Sequence, residues 1–327
     1  MKLSYCKIIL LMISASMLYV GTSCRSSVKN KSSVSQNASA SGVADEDYFD
    51  ESEYELPLPS IPVTITDPRG RAAYLLNHFW DECDFGDTLR SLNPDFVEIN
   101  FVNFINVFPH ADNEAVRSAV ERLMKAAEVN AGAFGLLAET AESYLYDPNS
   151  PFLDEEYFII FLEQLLKSDT PDQYEKLRYE MILTAALKNR PGTKAADFTY
   201  ATRNGSVTSL YKTPVKDLLL VIFYDPECDH CKEIIAYLHE NEYISEYIAN
   251  GTLKILAVYA DGDRILWEHS DGVIPSGWTD GFDTGRIAQE KLYVLRAAPT
   301  LYLLDSDKNV IFKDMPPVLL ARILQDR

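Results

Sequence analysis

Leu218-Leu219-Leu220-Val221-Ile222-Phe223-Tyr224-Asp225-Pro226-Glu227-Cys228-Asp229-His230-Cys231-Lys232 is the stretch that decides the fold. Its first six residues are apolar without a break, and Asp225-Pro226 ends the run. A short, fully apolar run bounded by a turn predicts a strand buried on both faces. Past the turn, Cys231, Ile234, Ile235 and Leu238 recur at helical spacing, so a helix starts at the cysteine pair. Unpaired backbone N–H groups and the helix dipole favour negative charge at that position. Cys228 is therefore expected to be the attacking thiolate. Cys231, one turn further in, is expected to resolve the mixed disulfide.

Outward from this stretch the chain reads as alternating strands and helices. The pattern changes at Arg190-Pro191-Gly192. Asp197 to Thr202 and Val207 to Tyr211 flank Arg203-Asn204-Gly205-Ser206, and Asn-Gly between two such runs predicts a hairpin. Leu253 to Tyr259 reads as a further strand, with Asp261 and Asp263 around Gly262 in a strand-end turn. Thr300 to Leu304 and Val310 to Lys313 form two more strands around the turn Asp305 to Asn309. Pro316 opens a terminal helix through Leu319, Leu320 and Ile323. Between residues 262 and 296 the sequence reads as a long insert. It holds Trp267, His269, Trp278 and Phe282, which either wall the substrate groove or pin the loop down.

Three segments carry a resemblance. Phe223 to Lys232, the entry Gly192-Thr193-Lys194-Ala195-Ala196-Asp197-Phe198, and Ala298-Pro299-Thr300 before a strand make residues 191–327 resemble the membrane-tethered thioredoxin-like proteins of the TlpA/ResA type. The resemblance implies an α/β thioredoxin fold and a thiol–disulfide oxidoreductase acting on protein thiols or disulfides through the Cys228–Cys231 dithiol, without a cofactor. It also implies that Pro299 is cis and faces the dithiol, shaping the substrate groove. Two positions depart from the pattern. Glu227 stands where thioredoxins have Trp, and its carboxylate opposes a thiolate at Cys228. Ile222 stands where they bury an acid that assists proton transfer; Glu233 is the candidate substitute. His230 precedes the second cysteine, as in strongly oxidising members of the superfamily, where an imidazole stabilises the thiolate. The direction of electron flow stays open.

The first half reads differently. Residues 67–190 carry helical periodicity without strand alternation, so an all-α domain of antiparallel helices is expected. Asp67-Pro68, Asn93-Pro94, Asn113 and Asp154 look like helix starts, and Asp147-Pro148-Asn149 looks like a stop. Trp80-Asp81-Glu82-Cys83-Asp84-Phe85-Gly86-Asp87 and Tyr144 to Pro151 resemble a helical module of unknown function, found ahead of thioredoxin-like domains in Bacteroidetes lipoproteins. That resemblance adds architecture and no mechanism. Cys83, beside Trp80 and Phe85, is either a third redox partner or a small buried hydrophobe.

Residues 1–23 read as a lipoprotein signal peptide: Lys2 and Lys7, an apolar run from Ile8 to Val20, then Gly21-Thr22-Ser23-Cys24. The run is shorter than the ~20 residues of a comfortable membrane span. Cys24 is the expected lipidation site, although Gly21 replaces the usual Leu. Residues 24–66 read as a tether: a Ser- and Asn-rich flexible part, an acidic stretch over 45–55, and Pro57, Pro59 and Pro62 at its end. These features imply the cell envelope, lipid-anchored and facing the periplasm on the outer or inner membrane.

The chain of 327 residues has a formal net charge of -19, which repels phosphate backbones and makes nucleic acid an unsuitable partner. Five cysteines, two of them in the targeting region, are too few for a disulfide scaffold. Lys232 rather than His after Cys231 excludes haem attachment. Asp225 rather than Thr three before Cys228 argues against a peroxiredoxin. One Cys-x-x-Cys without paired His spacing argues against a metal site. The competing function class is a binding or assembly lipoprotein, in which the helical domain captures a partner and the thioredoxin fold is scaffold.

Overall fold

The computed structural model describes residues 54–260 and 262–327. The signal region with Cys24, the tether up to residue 53, and Asp261 lie outside the described residues. The chain divides into two compact units. One holds the residues before Phe85 together with Asn93–Ala119; the other holds Phe85–Leu92 and Val120–Arg327.

Seven α-helices precede the first strand among the described residues: α1 (Pro68–His78), α2 (Thr88–Ser91), α3 (Pro94–Ile105), α4 (Asn113–Ala127), α5 (Ala131–Leu145), α6 (Glu155–Lys167) and α7 (Gln173–Ala186). Their starts follow the capping chemistry. Asp67 accepts the Gly70 N–H at 2.6 Å, Asn93 accepts from Asp95 and Phe96, and Asp154 accepts from Tyr157. Each satisfies N–H groups that the first turn leaves open. At α4 the cap is Asp112, whose Oδ1 accepts the Ala115 N–H at 2.8 Å; Asn113 is already helical. In the first unit Phe104 packs on Phe79 and on Phe108, with ring centroids 5.5 and 5.0 Å apart. The buried Asn100 side chain accepts the Leu56 N–H and donates to the Tyr54 carbonyl, fastening the incoming chain.

The second unit contains one seven-stranded sheet: β1 (Thr199–Thr202), β2 (Val207–Ser209), β3 (Leu218–Phe223), β4 (Leu253–Tyr259), β5 (Thr279–Asp283), β6 (Thr300–Leu304) and β7 (Val310–Phe312). The strand order is β2-β1-β5-β4-β3-β6-β7. Strand β3 lies parallel to β4 and antiparallel to β6. All six of its residues are buried, because the strand alternation splits them between two cores. Leu218, Leu220 and Ile222 face the cluster built with α8 (Asp229–Glu240), α9 (Glu242–Ala249) and the terminal helix Pro317–Gln325. Leu219, Val221 and Phe223 face Phe198, Tyr200, Tyr293 and Tyr302. At about 1.5–3 kcal/mol per buried large aliphatic side chain, this strand is the main apolar anchor of the sheet. The predicted hairpin is present: β1 and β2 pair antiparallel, with Gly205 at φ +83° and Asn204 Oδ1 accepting the Ser206 N–H at 2.9 Å.

The expected insert over 262–296 is more ordered than its sequence suggests. It contains α10 (Arg264–His269), strand β5 and α11 (Arg286–Gln289). Strand β5 sits inside the sheet, parallel to β4 and antiparallel to β1. Gly281 makes this pairing feasible: a Cβ there would lie 2.8 Å from the Tyr200 ring, so only glycine allows the ring to cross the strand. No helix among the described residues is long and apolar enough to cross a membrane.

Candidate active site

Strand β3 ends at Phe223, and the turn over 224–228 delivers Cys228 to the N-cap of α8. The Asp225 carboxylate accepts the Glu227 N–H at 2.8 Å and shapes that turn. The Cys228 sulfur accepts the backbone N–H of Cys231 at 3.2 Å, so it occupies the place of a capping oxygen and receives one of the open N–H groups. It also donates its thiol proton towards the Ala298 carbonyl, 3.7 Å away. The Ala298–Pro299 peptide bond is cis, and Pro299 opens β6 beside the dithiol.

Cys228 is half-buried and Cys231 is fully buried. Burial pushes the Cys231 thiol up to about 12. A backbone hydrogen bond from Asp225 pulls the other way, while Cys228 and the Asp225 carboxylate add to the rise. Ile222, in the position of the family's buried acid, belongs to the same apolar cluster as Cys231. Glu233 does not replace that acid. Its side chain is 76% exposed and pairs with His230 Nδ1 at 3.5 Å. The carboxylate acting on Cys231 is Asp225, which in the sequence ends the β3 run and argues against a peroxiredoxin. The Asp-Pro step before the cysteines was the available signal.

A reactivity difference follows. At pH 8 a thiol titrating near 12 is ionised to roughly one part in ten thousand. Iodoacetamide is therefore expected to modify Cys228 in the native protein and to spare Cys231 until the pH approaches 12. Mass spectrometry of the native, reduced protein checks this, and equal labelling of both thiols at pH 8 would contradict it. The raised Cys231 value makes the fold sensitive to alkali: below the unfolded thiol's value near 9 the thiol is neutral in both states, and stability falls as pH climbs from there towards 12, because only the unfolded thiol ionises in that range.

The other expected residues are distributed as follows. Glu227 is exposed at the turn, and Lys232 reaches its carbonyl and the Asp229 carboxylate, the latter at 3.0 Å. His230 is exposed and lines a cavity of about 390 Å³. The same cavity is lined by Ile234, Ala298, Pro299 and Met315, by the charged Arg296 and Asp314, and by Pro148-Asn149-Ser150-Pro151 with Leu153; neither Cys228 nor Cys231 lines it. The insert aromatics do not line it. Trp267 is buried, its Nε1 donates to Asp280 at 2.9 Å, and the Arg203 guanidinium lies 4.1 Å from its ring centroid. Phe282 packs on Trp267 and Tyr259. These side chains hold the insert on the sheet. Cys83 is half-buried and belongs to the other compact unit.

Sequence reasoning missed a buried ion-pair network beside the cis-proline segment. Arg296 Nη2 pairs with Glu155 Oε1 at 2.8 Å and with Asp314 Oδ2 at 2.9 Å; Lys313 pairs with Glu155 Oε2 at 2.5 Å. Arg296 also donates to the Tyr146 carbonyl, and its guanidinium lies 3.8 Å from the Tyr146 ring centroid. Burial raises Glu155, and the two cations oppose that rise. Helix α6 is thereby fastened to the stretch that leads into Pro299.

Comparisons with known proteins agree with this architecture. The family described as a domain of unknown function, DUF5106, matches residues 23–189. A thioredoxin-like protein from Bacteroides caccae of known structure is 34% identical, the match covering 83% of this chain and 98% of that one, with a TM-score of 0.78. A conserved protein of unknown function from Bacteroides fragilis is 38% identical over 41% of this chain and 98% of its own, with a TM-score of 0.40. The C-terminal domain of an uncharacterized protein from the same species is 36% identical over 42% of this chain and 98% of its own, with a TM-score of 0.41. A comparison with curated proteins gives no match. With a shared fold and a third of the aligned residues identical to those of a relative spanned almost end to end, the chain belongs to the thioredoxin-like proteins, and its first half belongs to the DUF5106 family.

Proposed function

We propose that the protein is an exported thiol–disulfide oxidoreductase, anchored by lipid at Cys24, that acts on protein thiols or disulfides through Cys228 and Cys231. The observation that carries this reading is the arrangement of the two thiols: a half-buried Cys228 capping α8 beside the cis Ala298–Pro299 bond, and a fully buried Cys231 one turn inside.

In the reductive direction the Cys228 thiolate attacks one sulfur of a substrate disulfide. A mixed disulfide forms, and the other substrate sulfur leaves as a thiolate. Cys231 then loses its proton and attacks the Cys228 sulfur. The enzyme disulfide forms, the second substrate thiolate departs, and two electrons have passed from the dithiol to the substrate. The oxidative direction is the reverse. Cys228 opposes ionisation of Cys231; once its sulfur is bound in the mixed disulfide, that opposition disappears and the second attack becomes easier. The neighbouring Asp225 carboxylate is the natural acceptor for the Cys231 proton.

The test is insulin-disulfide reduction with a thiol donor, run on wild type, Cys228→Ser and Cys231→Ser. Cys231→Ser is expected to accumulate mixed disulfides resolvable on non-reducing gels, and equal activity in wild type and Cys228→Ser would sink the proposal. The anchor is tested separately. Cells fed an alkyne fatty acid are expected to label the wild-type chain and not Cys24→Ala; labelling of both would remove Cys24 as the lipid site.

A further inference from the structure

We propose that the segment Pro148–Leu153, contributed by the helical region, is a specificity wall of the exchange site. The pocket it closes takes an apolar residue flanking the reacting cysteine of an extended, non-anionic polypeptide. This rests on Cys228 being the attacking thiol.

Position supplies the first reason. Ala298 lies on the pocket surface, and its carbonyl is 3.7 Å from the Cys228 sulfur. A disulfide bond is only about 2.05 Å long. A substrate sulfur joined to Cys228 therefore brings its neighbouring residues into the space between Pro299 and the helical segment. The cavity of about 390 Å³ is near the small end of ligand sites. It has room for side chains next to the cysteine and none for a folded protein face.

The wall is also built rather than passing by. The Ser150 hydroxyl donates to the Tyr144 carbonyl at 2.5 Å and accepts the Phe152 N–H at 3.1 Å. Asp147 Oδ1 accepts the Asn149 N–H at 2.8 Å. Directly after the segment, Glu155 is tied to Arg296, three residues before Pro299. Pro148 and Pro151 have fixed φ and no N–H, so these two positions stiffen the wall and offer an occupant apolar ring surface without a backbone donor.

Charge selects further. Arg296 and Asp314 line this same pocket, and with Lys313 and Glu155 they form a matched set of two cations and two carboxylates, so the network presents no net charge to an occupant. The rim near Cys228 carries Glu227, Asp229 and Glu233 against Lys232, on a chain of net charge -19. An anionic disulfide is repelled from such a rim, and a neutral or basic peptide is not.

The test uses three synthetic peptides whose single cysteine is activated as a mixed disulfide with 2-thiopyridine. One is flanked by Phe, one by Gly and one by Glu. Release of the neutral thione, followed by absorbance, gives the rate of attack by the full chain. The Phe-flanked peptide is expected to react about tenfold faster than the Gly-flanked one, the scale of an apolar side chain in a fitted pocket. The Glu-flanked peptide is expected to be slowest, with its deficit shrinking in salt. Pro151→Trp fills the pocket from the wall, and Leu153→Ala opens it. Each is expected to bring the Phe and Gly rates to within about twofold of each other. Asn149→Trp, at an exposed wall position, replaces either variant that fails to fold. A wild type without flank preference, or wall variants that keep it, overturns the inference. Undiminished thione release by Cys228→Ser overturns the underlying assignment of the thiol instead.

Discussion

Replacing Cys228 with serine is expected to abolish thiol–disulfide exchange, a loss of at least about a thousandfold, while leaving the fold almost untouched. The chemical side is simple: a serine oxygen is far less acidic than a thiol and cannot join a disulfide, so the covalent route disappears. The structural side makes the result clean. Cys228 is the N-cap of α8, and its sulfur takes the Cys231 N–H. Serine is among the preferred residues at that position, so its hydroxyl can take over the cap. Stability should change by less than about 1 kcal/mol. Urea unfolding curves and insulin turnover on the same preparation measure both sides. A variant that loses activity and stability together would mean that the thiol is structural. Cys231→Ser makes the complement, because it removes the second attack and keeps the first, so the mixed disulfide should persist.

This site was readable because its signals are local. The apolar run of β3, the Asp-Pro break and the cysteine spacing lie within fifteen residues, and each acts through its own backbone. The helix caps were readable for the same reason. Strand β5 was not. Thr279-Asp280-Gly281-Phe282-Asp283 has two acids and a glycine inside it, and nothing in that string favours a strand. Tertiary partners reverse each objection. Asp280 is surrounded by donors, Gly281 lies under the Tyr200 ring, and the Asp283 carboxylate accepts the Ile287 N–H at the start of α11. Glu233, the candidate substitute for the family's buried acid, lies on the exposed face that the helix period assigns to it. Cys231, Ile235 and Leu238 face inward, and a residue two after Cys231 lies on the opposite side. In the sequence the segment Pro148–Leu153 shows a helix stop and part of the helical module's pattern, but not its approach to Pro299, which joins residues about 150 positions apart and which no local pattern carries.

The strongest structural prediction concerns Asp280. Its side chain is 11% exposed. One carboxylate oxygen accepts from the Tyr224 hydroxyl and Trp267 Nε1, each at 2.9 Å, and the other accepts Arg203 Nε at 2.6 Å. Arg203 additionally donates to the Trp267 carbonyl and to Ser270, so the acid holds the hairpin, α10 and the end of β3 together. Burial and the Asp280 carboxylate both keep the Tyr224 hydroxyl protonated. Asp280→Ala leaves a largely buried guanidinium and two ring donors without their acceptor, at a cost of about 3–5 kcal/mol. For a unit of this size, that lowers the melting temperature by roughly 10 °C. Removing Arg203 as well should recover part of the loss, because most of the penalty is the stranded charge and not the missing attraction. Thermal unfolding of Asp280→Ala, Arg203→Ala and the double variant closes the cycle; strict additivity would show that the two side chains do not act as a pair. Tyr224 is the first residue of the turn that carries Cys228, so Asp280→Ala should also speed iodoacetamide labelling of Cys231 at a fixed pH. Tyr224 and Trp267, both held by this carboxylate, belong to the apolar cluster that buries Cys231.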